Sequence, residues 1–432
     1  MIKVLIISYM FPPIAGGGTQ RPLKFIKYLP MNGIKPVVFS PDKAYWKTYD
    51  EKLLDLPFLK ATKIYRCGIR QLQQYYHLRF KKGYKNHPYF YLLGFRYLFH
   101  LDIFSTWFFE CRRHALDIVK KDKIDCVLTT SPPHSIHLFG RFLKKSAGIS
   151  WIMDIRDAMF DDPNLPASPV TRIQAPIRLW YEKRFFLSSD AIVSVSDPII
   201  KSISRRHCDL DLNSKLSTIT NGFDDEDFAH IPLAEYQRKQ MLISYTGSFM
   251  GKQTPEMFLK AMQLLIEKKS IDSADLCLRF VGDYDDDIRR MFQRFSAQMP
   301  IESQGFQPYE KTLSHQVNSD LLLLIVSTDT KAGVNQTMTG KFFEYIGARR
   351  PIFAVVPEGP LKDLIQKGKF GTVASPKDVS QIASQFLSIY KQWKKSGTIF
   401  YDPDLSLRSQ FDRKYLAEKL AAVVRSVVSR NV

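Results

Sequence analysis

The sequence is poor in cysteine, and the few it has are not spaced as a set. Cys67, Cys111, Cys126, Cys208 and Cys277 are scattered through 432 residues. No two form a C-x-x-C pair, so neither a disulfide framework nor a cysteine-based zinc site is supported, and a reduced, cytosolic setting fits best. Long apolar runs are also missing. Nothing approaches the roughly 20 uninterrupted apolar residues of a membrane span. The richest stretch, around Tyr89 to Phe109, is broken by Arg96, His100, Asp102 and Ser105. The apolar start, Met1 to Ser8, is too short for a signal peptide and is cut off by Pro12-Pro13. Acids are few beside the bases. There are 62 Lys+Arg against 43 Asp+Glu, a net charge of +19. An excess of that size argues for a polyanionic partner: nucleic acid, an anionic membrane surface or phosphorylated ligands. With 45% hydrophobic and 24% charged residues the chain is globular, and its length suits two large domains.

What is present is a repeated strand–turn–helix pattern. Val4–Ser8 is a short, continuously apolar run that suits a strand buried on both faces. A loop from Pro12 to Gly18 follows. Thr19 then stands where it can cap a helix with apolar positions at Leu23, Ile26 and Leu29. Pro36–Ser40 is the next strand, completing the unit of a doubly wound sheet. Cys126–Thr130, Trp151–Asp154 and Ala191–Ser196 continue the series. After a polar stretch, 221–240, a second series begins with Met241–Tyr245, Leu276–Val281, Leu321–Val326 and Pro351–Val356. Most of these end in a glycine or polar turn, the edge at which open α/β sheets hold ligands. The expected architecture is α/β, with two Rossmann-like domains facing each other across a central cleft. The expected bounds are 1–205 for the first domain and 206–408 for the second. A helical segment, 409–432, is free to pack back on the first.

Several segments carry polar chemistry at such edges. In the loop Phe11–Arg21, Gly16, Gly17 and Gly18 let backbone N–H groups approach an anion at a helix start, and Arg21 adds charge. The alternative is a tight turn needing positive φ. The order is not G-x-G-x-x-G, so a dinucleotide site fits poorly. Asp154-Ile155-Arg156-Asp157 closes a buried-type strand, as a cleft acid, base or hydroxyl-binding group, or as a local ion pair. His134 and His137 flank a helix start without the companions of a metal site. His134 can donate to a substrate oxygen or serve as a packed histidine. Gly247 allows close backbone approach, and Lys252 can neutralise a phosphate. Thr339-Gly340 opens a helix whose free N–H groups suit a phosphate. On it, Glu344 sits among apolar neighbours, where a carboxylate needs a partner such as two ribose hydroxyls. Asp285-Asp286-Asp287 reads as helix-start chemistry, because acids favour the N-terminal dipole. No metal site is expected.

Taken in order, these segments resemble the family 4 glycosyltransferases of GT-B architecture, of the bacterial surface-polysaccharide type. The likeness is carried by Phe11-Pro12-Pro13 with Gly16-Gly17-Gly18, Asp154-Ile155-Arg156-Asp157, Ser196-Asp197, Thr220-Asn221-Gly222-Phe223-Asp224, Tyr245-Thr246-Gly247, Val281-Gly282-Asp283, and Gly340-Lys341-Phe342-Phe343-Glu344-Tyr345 with Arg350-Pro351-Ile352. The resemblance implies retaining, metal-independent transfer of a sugar from a nucleotide sugar, UDP- or GDP-linked, to an acceptor hydroxyl, with no cofactor. It implies a ribose contact for Glu344 and a phosphate contact for Lys252, which the helix N–H groups at Thr339–Lys341 can join. It also implies donor-side turns at Gly282 and near 305–313. Asp157, Arg156, Asp154 and His134 become the catalytic candidates, and Gly16–Gly18 with Arg21 the diphosphate and acceptor loop. Three positions depart from the family pattern. Gln336 stands where its first glutamate falls, Ser248 replaces an arginine, and Arg156-Asp157 lies where a histidine is common.

The segment about 60–121 interleaves cations with aromatics, among them Arg79, Lys81, Lys82, Lys85, Tyr84, Tyr89 and Trp107. That mixture suits docking on the inner face of an anionic membrane and a lipid-linked acceptor, or a helical segment with an aromatic core. The same residues suit a nucleic-acid-binding protein, but no recognised nucleic-acid motif is present, and none is expected as a partner. A GT-B nucleotide-sugar epimerase and a catalytically silent donor-binding protein are the other readings.

Overall fold

In the computed structural model, the described residues are 1–42, 48–68, 101–102, 104–160, 169–233, 239–249, 253–326 and 338–430. Most of the basic and aromatic segment, Lys252 and Gln336 lie outside them. The chain divides into two compact units, 1–220 with 413–432, and 221–412.

The described residues of the first unit build a sheet of seven parallel strands. These are β1 (Ile2–Ser8), β2 (Ile34–Pro41), β3 (Lys63–Cys67), β4 (Cys126–Ser131), β5 (Ser150–Ile155), β6 (Ala191–Ser194) and β7 (Leu216–Thr218). Their order is β3-β2-β1-β4-β5-β6-β7. Helices α1 (Gly17–Tyr28), α2 (Ser105–Asp122), α3 (His137–Ala147), α4 (Pro169–Ser188) and α5 (Asp197–Arg206) connect them. Burial on both faces explains the unbroken apolar runs of the central strands. One core layer holds Leu5, Ile7, Phe39, Trp107, Phe139 and Trp151. The other holds Val4, Ile6, Phe25 and Ile26 together with Leu416, Leu420 and Val424. Those last three belong to the closing helix, Arg413–Ser429, which therefore completes the core of the first unit.

The second unit carries β8 (Met241–Thr246), β9 (Leu276–Val281), β10 (Ile301–Ser303), β11 (Leu321–Ile325), β12 (Ile352–Val355) and β13 (Gly371–Ala374). They run parallel in the order β10-β9-β8-β11-β12-β13. Helices α6 (Glu256–Glu267), α7 (Asp286–Ser296), α8 (Tyr309–Val317), α9 (Gly340–Gly347), α10 (Pro360–Lys367) and α11 (Val379–Ser396) connect and cover them. Asp285 caps α7 by accepting from the Ile288 N–H at 3.0 Å, the helix-start part read for this acidic run.

One expectation is corrected. Cys67 and Cys111 form a disulfide, with Cα atoms 6.2 Å apart. Spacing could not show it, because the two cysteines meet only when α2 packs over the end of β3. Such bonds are uncommon in reducing compartments, so the pairing also weakens the argument for a reduced setting. Among the described residues, no helix is long and apolar enough to cross a membrane.

The first unit buries an ion pair. Arg21 on α1 is wholly buried, and its Nη2 lies 2.7 Å from Oδ1 of Asp154 on β5. Thr130 on β4 donates to the other carboxylate oxygen at 2.7 Å. The Arg21 Nη1 donates to the Thr220 carbonyl at 2.7 Å. Removing one member leaves the other charged and dry, so Arg21→Met should destabilise the chain by about 3–5 kcal/mol. Arg21→Met with Asp154→Leu should lose clearly less. Urea unfolding of both variants measures the difference.

Candidate functional site

In an open α/β sheet the ligand crevice lies where the strand order reverses. In the second unit that point falls between β8 and β11. Strand β8 ends at Thr246, which is buried and enclosed by polar groups. Its N–H donates to the Tyr345 hydroxyl at 2.9 Å. Its own oxygen accepts from Gln316 Nε2 at 2.9 Å. The same Gln316 nitrogen lies 3.4 Å from Glu344 Oε2. Thus α8 and α9 both send a polar side chain to the end of β8, and Glu344 is held by this network at half-buried depth. The Gln316 Oε1 is buried without a hydrogen-bond partner among the described residues.

Two glycines shape the adjoining wall. Gly247 has φ +107°, a region that excludes most side chains. Its N–H donates to the Val281 carbonyl at 2.7 Å. A Cβ on Gly282 would lie 2.8 Å from the Gly247 carbonyl carbon, so the two turns touch backbone to backbone. Lys341 lies across Gly247, donates from Nζ to the Ser248 carbonyl at 3.1 Å and stands 5.2 Å from the centre of the Tyr245 ring. Burial pushes its ammonium down to about 8, against the opposing pull of Glu344. Thr339 flanks the start of α9 in an extended conformation without a side-chain cap, and no acid occupies the first turn. The N–H groups of Gly340 and Lys341 have no partner within that helix, and the Phe342 N–H donates to the Thr339 carbonyl at 3.3 Å. Lys252 is not among the described residues. Gly247, Gly282, Thr339, Gly340, Lys341 and Glu344 therefore gather around one switch point.

In the first unit the order reverses between β1 and β4. Gly16 has φ +115° and flanks the start of α1; Gly16 and Gly17 are exposed. Gly18 is closed over by Arg156, whose guanidinium donates to the Gly18 carbonyl. Arg156 also donates to the Ser131 carbonyl at 2.8 Å. It is 8% exposed, and burial lowers its pKa. Arg156 therefore fastens the turns after β1 and β4 with its donors. Arg21 and Asp154 are spent on each other, beneath the surface. Only Asp157 of the charged run is exposed. It lines a recess with His134, Pro133, Asp102, Met159 and Arg178.

His134 in that recess is neutral at pH 7. Burial, then the charges of Arg178 and Arg156, lower it to about 4. Its Nδ1 is buried without a hydrogen-bond partner among the described residues. His137 faces inward instead, with Nδ1 2.8 Å from the Thr129 hydroxyl. Asp102 braces the recess by accepting from the Ser135 N–H at 2.8 Å and the Phe104 N–H at 2.9 Å. Among the described residues, no group of His, Cys, Asp and Glu is placed to hold a metal ion.

Sequence reasoning missed Gln316, Asp102 and Arg178 as parts of these sites. Gln316 had a signal: it interrupts the buried stripe of α8 between Leu313 and Val317. Asp102 had one as well, as an acid inside an aromatic run.

Comparison with solved structures fixes the architecture. HepE of Anabaena, in complex with UDP and glucose, superposes with a TM-score of 0.64 over 99% of this chain and 100% of the other, at 12% identity. The fold is GT-B. A trehalose 6-phosphate synthase of Burkholderia multivorans has the same GT-B arrangement, with a TM-score of 0.61 over 100% of both chains and 13% identity. WaaG, a glycosyltransferase involved in lipopolysaccharide biosynthesis, matches at 0.54 over 99% and 98%, with 13% identity. A UDP-N-acetylglucosamine 2-epimerase from Listeria monocytogenes, described as putative, shares the GT-B fold at 0.57 over 99% and 97%, with 11% identity. No protein-family model and no curated protein sequence matches the chain.

The depressed His134 has a consequence for stability. Between pH 6.5 and 4 the unfolded chain takes up a proton that the native imidazole refuses. Stability is therefore full above pH 6.5 and falls as the pH drops through that window. At pH 5 the loss from this one group should be about 2 kcal/mol. Urea midpoints at pH 7 and pH 5 should show a smaller drop for His134→Gln than for the unsubstituted chain.

Proposed function

We propose that this chain is a retaining, metal-independent glycosyltransferase of the family 4 type that uses a nucleotide-diphosphate sugar. The single observation that supports it most is the switch point of the second unit. Close-approach glycines, an uncapped helix start, a lysine and a held carboxylate converge there. Each has a use in one donor. Glu344 offers two acceptor oxygens to the two ribose hydroxyls. The N–H groups at Gly340 and Lys341, with the Lys341 ammonium, face the diphosphate. Preorganised donors of that kind stabilise the departing nucleoside diphosphate as charge develops on it. Lys252 adds a further cation in this reading. UDP or GDP is the nucleotide we favour.

The first unit holds the acceptor in this proposal. Neutral His134 positions the acceptor hydroxyl, and Asp157 receives its proton as the new glycosidic bond forms and the bond to the diphosphate breaks. Asp154 and Arg21 build the frame beneath, and Arg156 holds the Gly18 turn in place. The acceptor is a saccharide or lipid-linked intermediate of cell-envelope glycan synthesis. A nucleotide-sugar epimerase is the rival reading, since a protein described as a putative UDP-N-acetylglucosamine 2-epimerase has a similar fold. Release of nucleoside diphosphate that requires an added acceptor marks transfer, and release without one marks the epimerase.

Glu344→Ala should weaken UDP or GDP binding by at least about tenfold, the worth of a charge-assisted hydrogen bond. Calorimetric titration checks it; unchanged affinity in both nucleotides refutes the ribose role. Lys341 binds phosphate only when protonated. With its pKa near 8, nucleotide affinity should fall about tenfold between pH 7 and pH 9. Lys341→Met should bind weakly at both pH values.

A further inference from the structure

Helix α4 (Pro169–Ser188) presents an unusual outer face. Ile173 is 58% exposed, Trp180 49% and Leu187 55%. At 100° per residue these positions, with Pro176, Ile177 and Arg184, fall within roughly a quarter of the helix circumference. The opposite side is built normally: Glu182, Phe185 and Phe186 are buried. Ile177 and Trp180 line a shallow open groove with Pro176 and Tyr181. The face is an apolar stripe about four turns long on the outside of the unit.

Its charge has one sign. Arg184 lies 4.5 Å over the Trp180 ring, and Arg172 is exposed on the same helix. The carboxylate that α4 itself carries, Glu182, is buried and held by Arg206 at 3.0 Å and His207 at 2.8 Å. The neighbouring Asp209, beyond α5, is paired with Lys183. A second copy of this face would set Arg184 and Arg172 against like charges. An extended anionic surface that accepts apolar side chains fits both features.

We infer that α4 docks this chain on an anionic lipid bilayer. Ile173, Trp180 and Leu187 enter the headgroup boundary while Arg172 and Arg184 meet lipid phosphates. Trp180 suits that depth, with an apolar ring and a polar edge. The net charge of +19 draws the chain to the surface before the stripe engages. From its inner side the same helix sends Arg178 to the recess that contains His134 and Asp157. Docking would therefore hold that recess beside the membrane, where a lipid-linked hydroxyl is presented. The docking itself does not require the transferase reading.

Flotation of the full chain tests it, with vesicles of mixed phosphatidylglycerol and phosphatidylcholine against phosphatidylcholine alone. The chain should float with the anionic vesicles at low salt and release at high salt. Trp180→Ser with Arg184→Glu should lower the bound fraction at least about tenfold, with an unchanged circular-dichroism melt. Brominated lipid should quench tryptophan emission in the unsubstituted chain, and Trp180→Phe should remove most of that quenching. No flotation, or equal flotation of the double variant, overturns the inference. So does a concentration-dependent dimer that the double variant abolishes, since it assigns the face to a second copy. Turnover of a water-soluble saccharide acceptor should not change in the double variant. Absence of any transfer, with vesicle binding intact, refutes the proposed reaction and leaves the docking standing.

Discussion

A guanidinium sealed away from water demands a carboxylate, and the first unit is organised around that demand. Arg21 enters from α1, Asp154 from β5 and Thr130 from β4, while the Thr220 carbonyl takes the remaining donor. The pair joins the strand-end loops of the sheet where its order reverses. Arg156 adds a second clasp, reaching the carbonyls of Gly18 and Ser131. With both arginines in place, the segments at the ends of β1, β4 and β5 are tied to one another along one rim. Asp157 and the recess around His134 sit on that rim. Their geometry therefore depends on charges that never face solvent.

At the switch point of the second unit the described contacts are made mainly by neutral groups. Thr246, Tyr345 and Gln316 are neutral, and only the half-buried Glu344 among them carries charge. Neutral groups lose less on leaving water than ions do. They also leave Glu344 half-buried, within electrostatic reach of the Lys341 ammonium. The two sheets thus share a topology but spend their polar residues differently. One locks its loops with an ion pair, and the other surrounds the end of β8 with a threonine, a tyrosine and a glutamine.

Much of the fold was legible because buried parallel strands are written as unbroken apolar runs. Leu276–Val281 reads as a strand in the sequence and is one in the structure. The glycine turns at Gly247 and Gly282 were legible for the same reason: glycine where a strand ends signals close backbone contact. What stayed hidden were partnerships over distance. Arg21 looks like ligand-binding charge beside a glycine loop, since nothing local reveals a partner 133 residues away. Cys67 and Cys111 look unrelated until α2 covers β3. Gln316 is one polar residue in a helix, and its value lies in Thr246 and Glu344, which other elements deliver.

The closing helix, Arg413–Ser429, has a further consequence for how the chain is made. Leu416, Leu420 and Val424 pack beside Val4 and Ile6, so the core formed by the first strand waits for residues more than 400 positions later. On a ribosome the second unit is complete once 412 has emerged. The first unit, although begun earlier, finishes afterwards. The unit whose synthesis starts first is therefore the later of the two to have all its core residues available, against the usual N-terminal-first sequence. A chain halted between them exposes the apolar groove that the helix fills.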